Sequence, residues 1–258
     1  MSQAPAPGGQ HVPGIAYPAR LVEGRLERRY KRFLADVRLP NGQLVTAHCG
    51  NPGSMMGLAE PGSRVWLAPN PNPQAKLDWR WEIASQAIDG AEHSVGINTG
   101  RANAVAEAAI AAGAIPELAG YGDIRREVKY GKNSRIDLLL EDPRGAGGPS
   151  CYVEVKSVTL RRPTGPAPEA AEFPDAVTAR GAKHLAELAA MREAGARAVM
   201  LYLVQRADCT HFRIAADIDP AYADGLARAR EAGVETLCYD CVVGPPGIEL
   251  RGALAQEI

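Results

Sequence analysis

Two short apolar segments near the middle of the chain constrain its fold more than any other feature. Residues 134–140 and 151–158 are rich in aliphatic and β-branched side chains, and the polar residues 141–150 between them, with several Gly and Pro, are typical of a hairpin loop. The sequence therefore predicts a β-hairpin. Because side chains alternate between the faces of a strand, Glu154 and Lys156 are expected on the same face.

A carboxylate in the first segment completes a candidate metal site. Asp137 stands just before a run of three leucines, and antiparallel pairing of the two strands could bring its carboxylate next to Glu154. Mg²⁺ is commonly held by one or two carboxylates, water and phosphate oxygens, and a neighbouring lysine such as Lys156 can orient or deprotonate the attacking water. This set suits phosphodiester hydrolysis. The alternative is a half-solvated strand with cross-strand ion pairs, which shows the same alternation of charged and apolar residues.

Length and composition describe an ordinary globular protein. The chain has 258 residues, 46% apolar and 23% charged, which is enough for one large or two modest cores. Its apolar stretches fall short of the roughly 20 residues that a membrane span needs, and no secretion signal opens the chain. The five cysteines are odd in number and scattered, so we expect a reducing, cytoplasmic location. We interpret Cys238 and Cys241 as buried strand cysteines, in preference to structural zinc ligands.

Basic residues are concentrated in two stripes, although the net charge is only −1. Residues 25–32 and 125–135 each carry five Lys or Arg side chains against one Glu. Such stripes can follow a phosphate backbone, whereas bulk charge gives no reason to expect a nucleic-acid coat. The candidate nucleic-acid contacts are Arg29, Tyr30, Lys31 and Arg32 in the first stripe, and Arg126 and Lys129 in the second. Alternatively, Tyr30 faces a core and the cations only keep the surface soluble.

The order of predicted elements indicates two domains of a mixed α/β chain. Residues 1–18 are poor in large apolar side chains and are expected to be a disordered tail. Residues 19–95 show short strands separated by turns, without a helix, which predicts a small OB-like β-barrel that binds nucleic acid. Strands and helices alternate over residues 96–258, as in an α/β domain.

Two predicted helices carry candidate site residues. Residues 98–113 are rich in alanine and contain Glu107, and a second helix follows residue 178 and stops at Gly195. Helical spacing places Arg180, Lys183 and His184 on the half of the second helix opposite its apolar stripe. These three side chains could contact phosphates, or they could simply face solvent.

Particular motifs resemble known families. Asp137, a hairpin loop and Glu154-x-Lys156 resemble the PD-(D/E)xK nuclease superfamily, although Ile136 stands at the proline position. Five segments, one of which contains Glu154 and Lys156, are similar to the sugar fermentation stimulation protein A family, and the similarity extends from about residue 20 to the C-terminus. These segments are RYKRFLADV (residues 29–37), NTGRAN (98–103), RREVKYG (125–131), VEVKSVTL (153–160) and FPDAVT (173–178).

The resemblance implies a fold, a metal site and a partner. That family is described as DNA-binding, with an OB-like N-terminal barrel followed by a PD-(D/E)xK nuclease-like α/β domain. It implies Glu107, Asp137 and Glu154 as ligands of Mg²⁺ or Mn²⁺, with Lys156 completing the catalytic set; a solvent-facing Glu107 is the alternative. One departure is Pro52 in the segment Asn51-Pro52-Gly53, where the family usually has threonine, so any ligand contact of that hydroxyl is in doubt.

The leading hypothesis is a DNA-binding protein with a metal-dependent nuclease site, acting on single-stranded or structured DNA and not on membranes. The alternative is a non-catalytic DNA-binding regulator of sugar (maltose) metabolism that uses the nuclease-like domain as a scaffold. A hydrolase of another substrate class is a weaker third hypothesis. The sequence leaves a homodimer open.

Overall fold

The computed structural model describes residues 13–131, 134–142 and 148–258. Residues 1–12 of the expected tail, Lys132 of the second basic stripe and residues 143–147 of the predicted loop lie outside this part of the chain. The described residues form sixteen strands, three α-helices and one 3₁₀ turn, Pro116–Leu118. In chain order they are β1 (Gly14–Ala16), β2 (Val22–Tyr30), β3 (Leu34–Arg38), β4 (Leu44–Cys49), β5 (Arg64–Pro69), β6 (Trp79–Ile88), β7 (Ala91–Gly96), α1 (Gly100–Ala111), β8 (Asp123–Tyr130), β9 (Ser134–Glu141), β10 (Cys151–Val158), β11 (Ala170–Phe173), α2 (Ala179–Glu193), β12 (Arg197–Val204), β13 (His211–Ile214), α3 (Pro220–Glu231), β14 (Glu235–Gly244), β15 (Gly247–Ala253) and β16 (Ala255–Glu257).

Strands β2 to β6 form a closed five-stranded barrel. They pair in the order β4-β3-β2-β5-β6, and parallel pairing of β4 with β6 closes the ring. Alternation along each strand fills the interior: in β4, Val45, Ala47 and Cys49 are buried, whereas Leu44 and His48 are exposed. The predicted OB-like barrel is confirmed.

A seven-stranded mixed sheet forms the second domain. Its order is β1-β15-β14-β12-β10-β9-β8, with β10, β12 and β14 parallel in the centre. Helix α1 packs on one face, while α2, α3 and the small parallel sheet β11-β13-β16 cover the other. Both faces are therefore buried, which explains why the central strands are almost continuously apolar. The predicted mixed α/β class is confirmed.

The predicted disordered tail is too long. Gly14–Ala16 forms β1, which pairs antiparallel with β15 at the edge of the second sheet. Ile15 and the buried Tyr17 pack into the core beneath α1, and the Tyr17 N–H bonds to the Pro246 carbonyl at 3.2 Å. Ile15 and Tyr17 are too few apolar residues to predict a strand in a Pro- and Gly-rich segment. The strand forms because it pairs with β15, which is distant in the chain.

The barrel and the second domain are joined by buried polar contacts. Arg206, which is fully buried, donates to the Gln86 side chain of β6 at 2.8 Å and to the Thr159 carbonyl at 2.9 Å. The Gly96 N–H at the end of β7 donates to the Gln205 carbonyl at 2.9 Å. Because a buried guanidinium without partners is very costly, these bonds define one relative arrangement of the two domains.

All five cysteines are buried and unpaired. Cys238 and Cys241 lie in the hydrophobic clusters of opposite faces of the second sheet, so their thiols cannot share one ion. This placement agrees with their interpretation as buried strand cysteines. None of the described helices combines the length and the apolar character needed to cross a membrane.

Candidate active site between the two domains

The site begins where the predicted hairpin stops pairing. The β9–β10 ladder runs from Leu140↔Cys151 to Leu138↔Val153, and the next residue of β9 is Asp137. Here the Asp137 carboxylate, and not a backbone carbonyl of β9, accepts the hydrogen bond from β10: Oδ2 accepts the Val155 N–H at 2.8 Å. Oδ1 accepts from the Asn103 amide of α1, also at 2.8 Å. Two protein donors therefore hold Asp137 against β10, beside Glu154.

Glu154 and Lys156 lie on the same face of β10, as the alternation predicted. The Lys156 ammonium donates to Oε1 of Glu154 at 2.8 Å, and His184 Nδ1 contacts the same oxygen. On the other side of the ring, Arg180 Nε donates to His184 Nε2 at 3.3 Å. This network assigns the proton of a neutral His184 to Nδ1, so that His184 donates to Glu154.

The two carboxylates have opposite pKa shifts. Burial raises the pKa of Asp137, and the nearby charge of Glu154 adds to this effect against the hydrogen bonds from Val155 and Asn103. Burial would also raise the pKa of Glu154, but the hydrogen bond from His184 and the charge of Lys156 outweigh it and keep that pKa below its usual value. With both carboxylates ionised, the site holds negative charge that Lys156 compensates only in part.

The donor set fits a divalent cation bound by two carboxylates. Oε2 of Glu154 is buried and has no hydrogen-bond partner within the described residues, which is costly for a carboxylate oxygen. Burial and the charge of Glu154 both raise the pKa of Asp137, and a bound cation would act in the opposite direction. In the part of the chain that the structure describes, no three His, Cys, Asp or Glu side chains are grouped as a metal site. Mg²⁺ commonly completes such a two-carboxylate set with water and phosphate oxygens.

A cleft of ≈ 510 Å³ opens over this centre, and both domains line it. The barrel contributes Arg32 and the loop Asn51-Pro52-Gly53, while the second domain contributes Asp137, Glu154 and Lys156. The loop of the barrel also reaches across the cleft, because Ser54 Oγ and the Met55 N–H both bond to Asp175 Oδ2 at 3.3 Å. Pro52, the departure from the family pattern, therefore faces the candidate active site.

Glu107 lies apart from the two other predicted ligands. Its carboxylate lies 3.5 Å from the Arg126 guanidinium of β8, and it is absent from the cleft lining. Asn103, one helical turn earlier, is the α1 side chain that contacts Asp137. The ion pair also engages Arg126, whereas Lys129 on the same strand is exposed. The metal role of Glu107 and the nucleic-acid roles of Arg126 and Lys129 stay predictions.

The first basic stripe divides into structural and free side chains. Arg29 donates to the carbonyls of Asn51 and Gly53 at 3.0 Å, so it supports the cleft loop. Tyr30 bonds through its hydroxyl to Asp36 at 3.2 Å. Lys31 and Arg32, at the tip of the β2–β3 hairpin, are exposed.

The predicted placement of α2 is wrong for one residue. His184 was expected on the half of the helix opposite the core, but it is 5% exposed and contacts Glu154. Helical spacing assumes one buried face, whereas the start of α2 packs over β10 and buries a second one. Arg180 is exposed and lines the cleft, and Lys183 is exposed with Glu187 at 3.7 Å.

Sequence reasoning missed two residues of this site, Asn103 and Asp175. Both lie in segments that resemble the family, NTGRAN and FPDAVT. Their contacts to Asp137 and to the barrel loop join segments far apart in the chain, so spacing alone contains no signal for them.

Comparison with known proteins identifies the family. The model described as the sugar fermentation stimulation protein RE domain matches residues 100–247, and that of the SfsA N-terminal OB domain matches residues 28–97. The chain belongs to the sugar fermentation stimulation protein family. The resemblance seen in the five sequence segments is confirmed.

Full-length relatives support this assignment. The sugar fermentation stimulation protein homolog of Rhodospirillum centenum is 59% identical, over 93% of this chain and 98% of that protein. The homolog of Paramagnetospirillum magneticum is 55% identical, over 95% of this chain and 98% of that protein. Among solved structures, Pyrococcus furiosus SfsA in complex with Ca²⁺ matches with a TM-score of 0.82 and 27% identity, covering 96% of this chain and 100% of that one.

Proposed function

We propose that this protein binds DNA and hydrolyses phosphodiester bonds at the Asp137–Glu154–Lys156 centre with Mg²⁺ or Mn²⁺. The observation that carries the proposal is the unpartnered, buried Oε2 of Glu154 beside Asp137, at the base of a cleft with Arg32 and Arg180 in its lining. A carboxylate pair alone suits a cation. Carboxylates, lysine and guanidinium groups together suit a cation-bound phosphate.

Each residue has a distinct proposed role. Asp137 and Glu154 would hold the divalent ion, which when bound neutralises phosphate charge and acidifies water. Lys156 would orient the attacking water or the phosphate, because its ammonium lies at the same face as both carboxylates. Asn103 and His184 position the two carboxylates through their hydrogen bonds. Arg32 and Arg180 would bind the phosphates that flank the reacting one.

The Pyrococcus furiosus relative supports the metal part of the proposal. That protein is described in complex with Ca²⁺, a hard cation that prefers oxygen ligands as Mg²⁺ does. Ca²⁺ is larger than Mg²⁺ and less demanding in geometry. Binding of Ca²⁺ by a relative therefore favours an oxygen-rich site in the family, and we propose Mg²⁺ or Mn²⁺ as the catalytic ion here.

Incubation of the purified protein with labelled single-stranded, duplex and branched DNA tests the proposal, with Mg²⁺, Mn²⁺ or EDTA. We expect cleavage that requires the metal, loss of cleavage in Lys156→Ala, and retained Mn²⁺ binding by that variant in calorimetry. Lys76→Ala is a matched control, since Lys76 is exposed in the loop between β5 and β6 and does not line the cleft. Cleavage by Lys156→Ala at the wild-type rate would reduce Lys156 to a structural ion pair.

A non-catalytic, DNA-binding regulator of sugar metabolism is the second candidate function. The observation that favours it is the engagement of Glu107 by Arg126, which leaves two carboxylates at the centre. DNA binding by the wild type without cleavage under any metal would select this candidate. In either case we propose a cytoplasmic location, because the five cysteines are all free thiols.

A further inference from the structure

Two aromatic rings lie parallel on the outer surface of the barrel, beside the cleft. The rings of Phe33 and His48 are 6° from parallel, with centroids 6.3 Å apart, and both residues are exposed. Phe33, at 44% exposure, is one of the few large apolar side chains on this surface. Neither ring fills the barrel core, so the packing of the fold does not explain the pair.

The cations around this pair are free, unlike most of those elsewhere on the barrel. Lys31 and Arg32 immediately precede Phe33, and Arg80 lies opposite His48 in the β4–β6 register. None of these three side chains has a hydrogen bond or ion pair within the described residues. By contrast, Arg28 is paired with Asp36 and Arg38 with Glu27. Among the barrel cations without a partner in the described residues, Lys31, Arg32 and Arg80 surround the two rings, and Lys76 lies apart from them between β5 and β6.

The aromatic pair is continuous with the cleft. Arg32, next to Phe33, lines the cleft, and so does Asn51, three residues after His48. A chain of phosphates that passes the free cations at the hairpin tip is directed towards Lys156. Bases attached to those phosphates would meet the exposed rings.

We propose that Phe33 and His48 form a stacking site for an unpaired nucleobase of single-stranded DNA, whose backbone continues past Arg32 into the cleft. The inference rests on the proposed function and specifies its substrate class. Stacking needs the free face of a base, which a duplex hides, while every unpaired base offers one. Flat rings with free cations beside them match this chemistry, and they give a reason for exposing a phenylalanine.

Equilibrium binding without catalysis tests this site. Fluorescence anisotropy in EDTA would compare a labelled oligothymidylate with a duplex of equal length. We expect Phe33→Ala to weaken single-strand binding by about 5- to 150-fold, with little change in duplex binding or in salt dependence. Phe33→Leu should behave like Phe33→Ala, because it keeps bulk and loses the ring, whereas Phe33→Trp should bind and show quenched indole fluorescence.

Leu44→Ala is the matched control. Leu44 is exposed by 52% and lies on the same strand and outer face as His48, at the other end of β4. It should bind like the wild type. Single-strand binding unchanged in Phe33→Ala and in His48→Ala, with wild-type DNA binding intact, would overturn the stacking site and leave the proposed function standing. Absence of wild-type binding to every form of DNA would overturn the proposed function and the stacking site together.

Discussion

At the residue scale, the two central carboxylates face opposite electrostatic conditions although they belong to one site. Glu154 has His184 and Lys156 on Oε1, so its ionised form is stabilised in the fold. That stability is present above the ordinary pKa of 4.5 and is lost as the pH falls through the lowered value. Asp137 is ionised against burial and against Glu154, so it costs stability progressively as the pH rises from its ordinary pKa of 3.8 to its raised value, and the full cost remains above that value.

Asp137→Asn should therefore stabilise the metal-free protein at neutral pH. The amide removes a destabilising charge at nearly constant shape, its oxygen can still accept the Val155 N–H, and a flipped Asn103 amide can accept from its NH₂ group. We therefore expect the free energy of unfolding to rise by about 1 kcal/mol. The gain should be absent below the ordinary pKa of 3.8 and should grow as the pH rises through the raised value. Urea unfolding in EDTA across this pH range measures it. Mn²⁺ should stabilise the wild type much more than the variant.

Asp36→Asn is the control with the opposite sign. Burial would raise the pKa of Asp36, but hydrogen bonds from Arg28, Thr46 and Tyr30 lower it. This variant should lose about 1 to 3 kcal/mol at neutral pH, and the loss should shrink in acid. Destabilisation of both variants to the same extent would show that Asp137 is an ordinary structural carboxylate.

At the scale of elements, the period of a strand or helix predicted which residues share a face. It did not predict what each element packs against. The alternation of β10 placed Glu154 and Lys156 on one face correctly, because a strand has only two faces. The 3.6-residue spacing of α2 put His184 on the wrong half, because the helix contacts both its neighbouring helix and the sheet. Strand β1 was missed because its partner, β15, is more than 200 residues away in the chain. Pairing of distant segments leaves no local pattern.

The β2–β3 hairpin shows how a predicted basic stripe separates into two functions. Arg29→Lys should lower the free energy of unfolding by about 1 to 2 kcal/mol, because one ammonium cannot reproduce both the Nη2 bonds to the Asn51 and Gly53 carbonyls and the Nε bond to the Arg32 carbonyl. Joint replacement of Lys31 and Arg32 by Gln should leave stability unchanged. It should instead flatten the log–log salt dependence of DNA binding by about 1.4 to 1.8 units, from roughly 0.7 to 0.9 per phosphate contact. Thermal melts and salt titrations of both variants separate the two effects, and a reversed pattern would contradict this division.

At the scale of the whole molecule, the candidate site is incomplete in either domain alone. The sequence predicted the carboxylates and the lysine of the second domain, but not that Arg32 and the Asn51-Pro52-Gly53 loop of the barrel line the same cleft. Their position depends on how the domains are joined, and the contacts that join them connect Gln86 with Arg206 and Ser54 with Asp175. Such polar contacts between distant segments have no period or motif from which they could be predicted.

Arg206 is the test of this coupling. Its guanidinium, with no exposed side-chain surface, bonds to Gln86 of the barrel and to both carboxylate oxygens of Asp208. Arg206→Met should cost about 3 to 5 kcal/mol, since it leaves Gln86 and Asp208 with unmet partners in the interior. Because Gln86 belongs to the barrel, we expect the wild type to unfold in one transition and the variant in two, with earlier proteolysis near residues 96–100. Arg197→Met is the matched control, because its paired bonds to Glu235 at 2.7 Å lie entirely within the second domain. A single transition in Arg206→Met, shifted no further than in Arg197→Met, would show that the domains are held together by their remaining contacts.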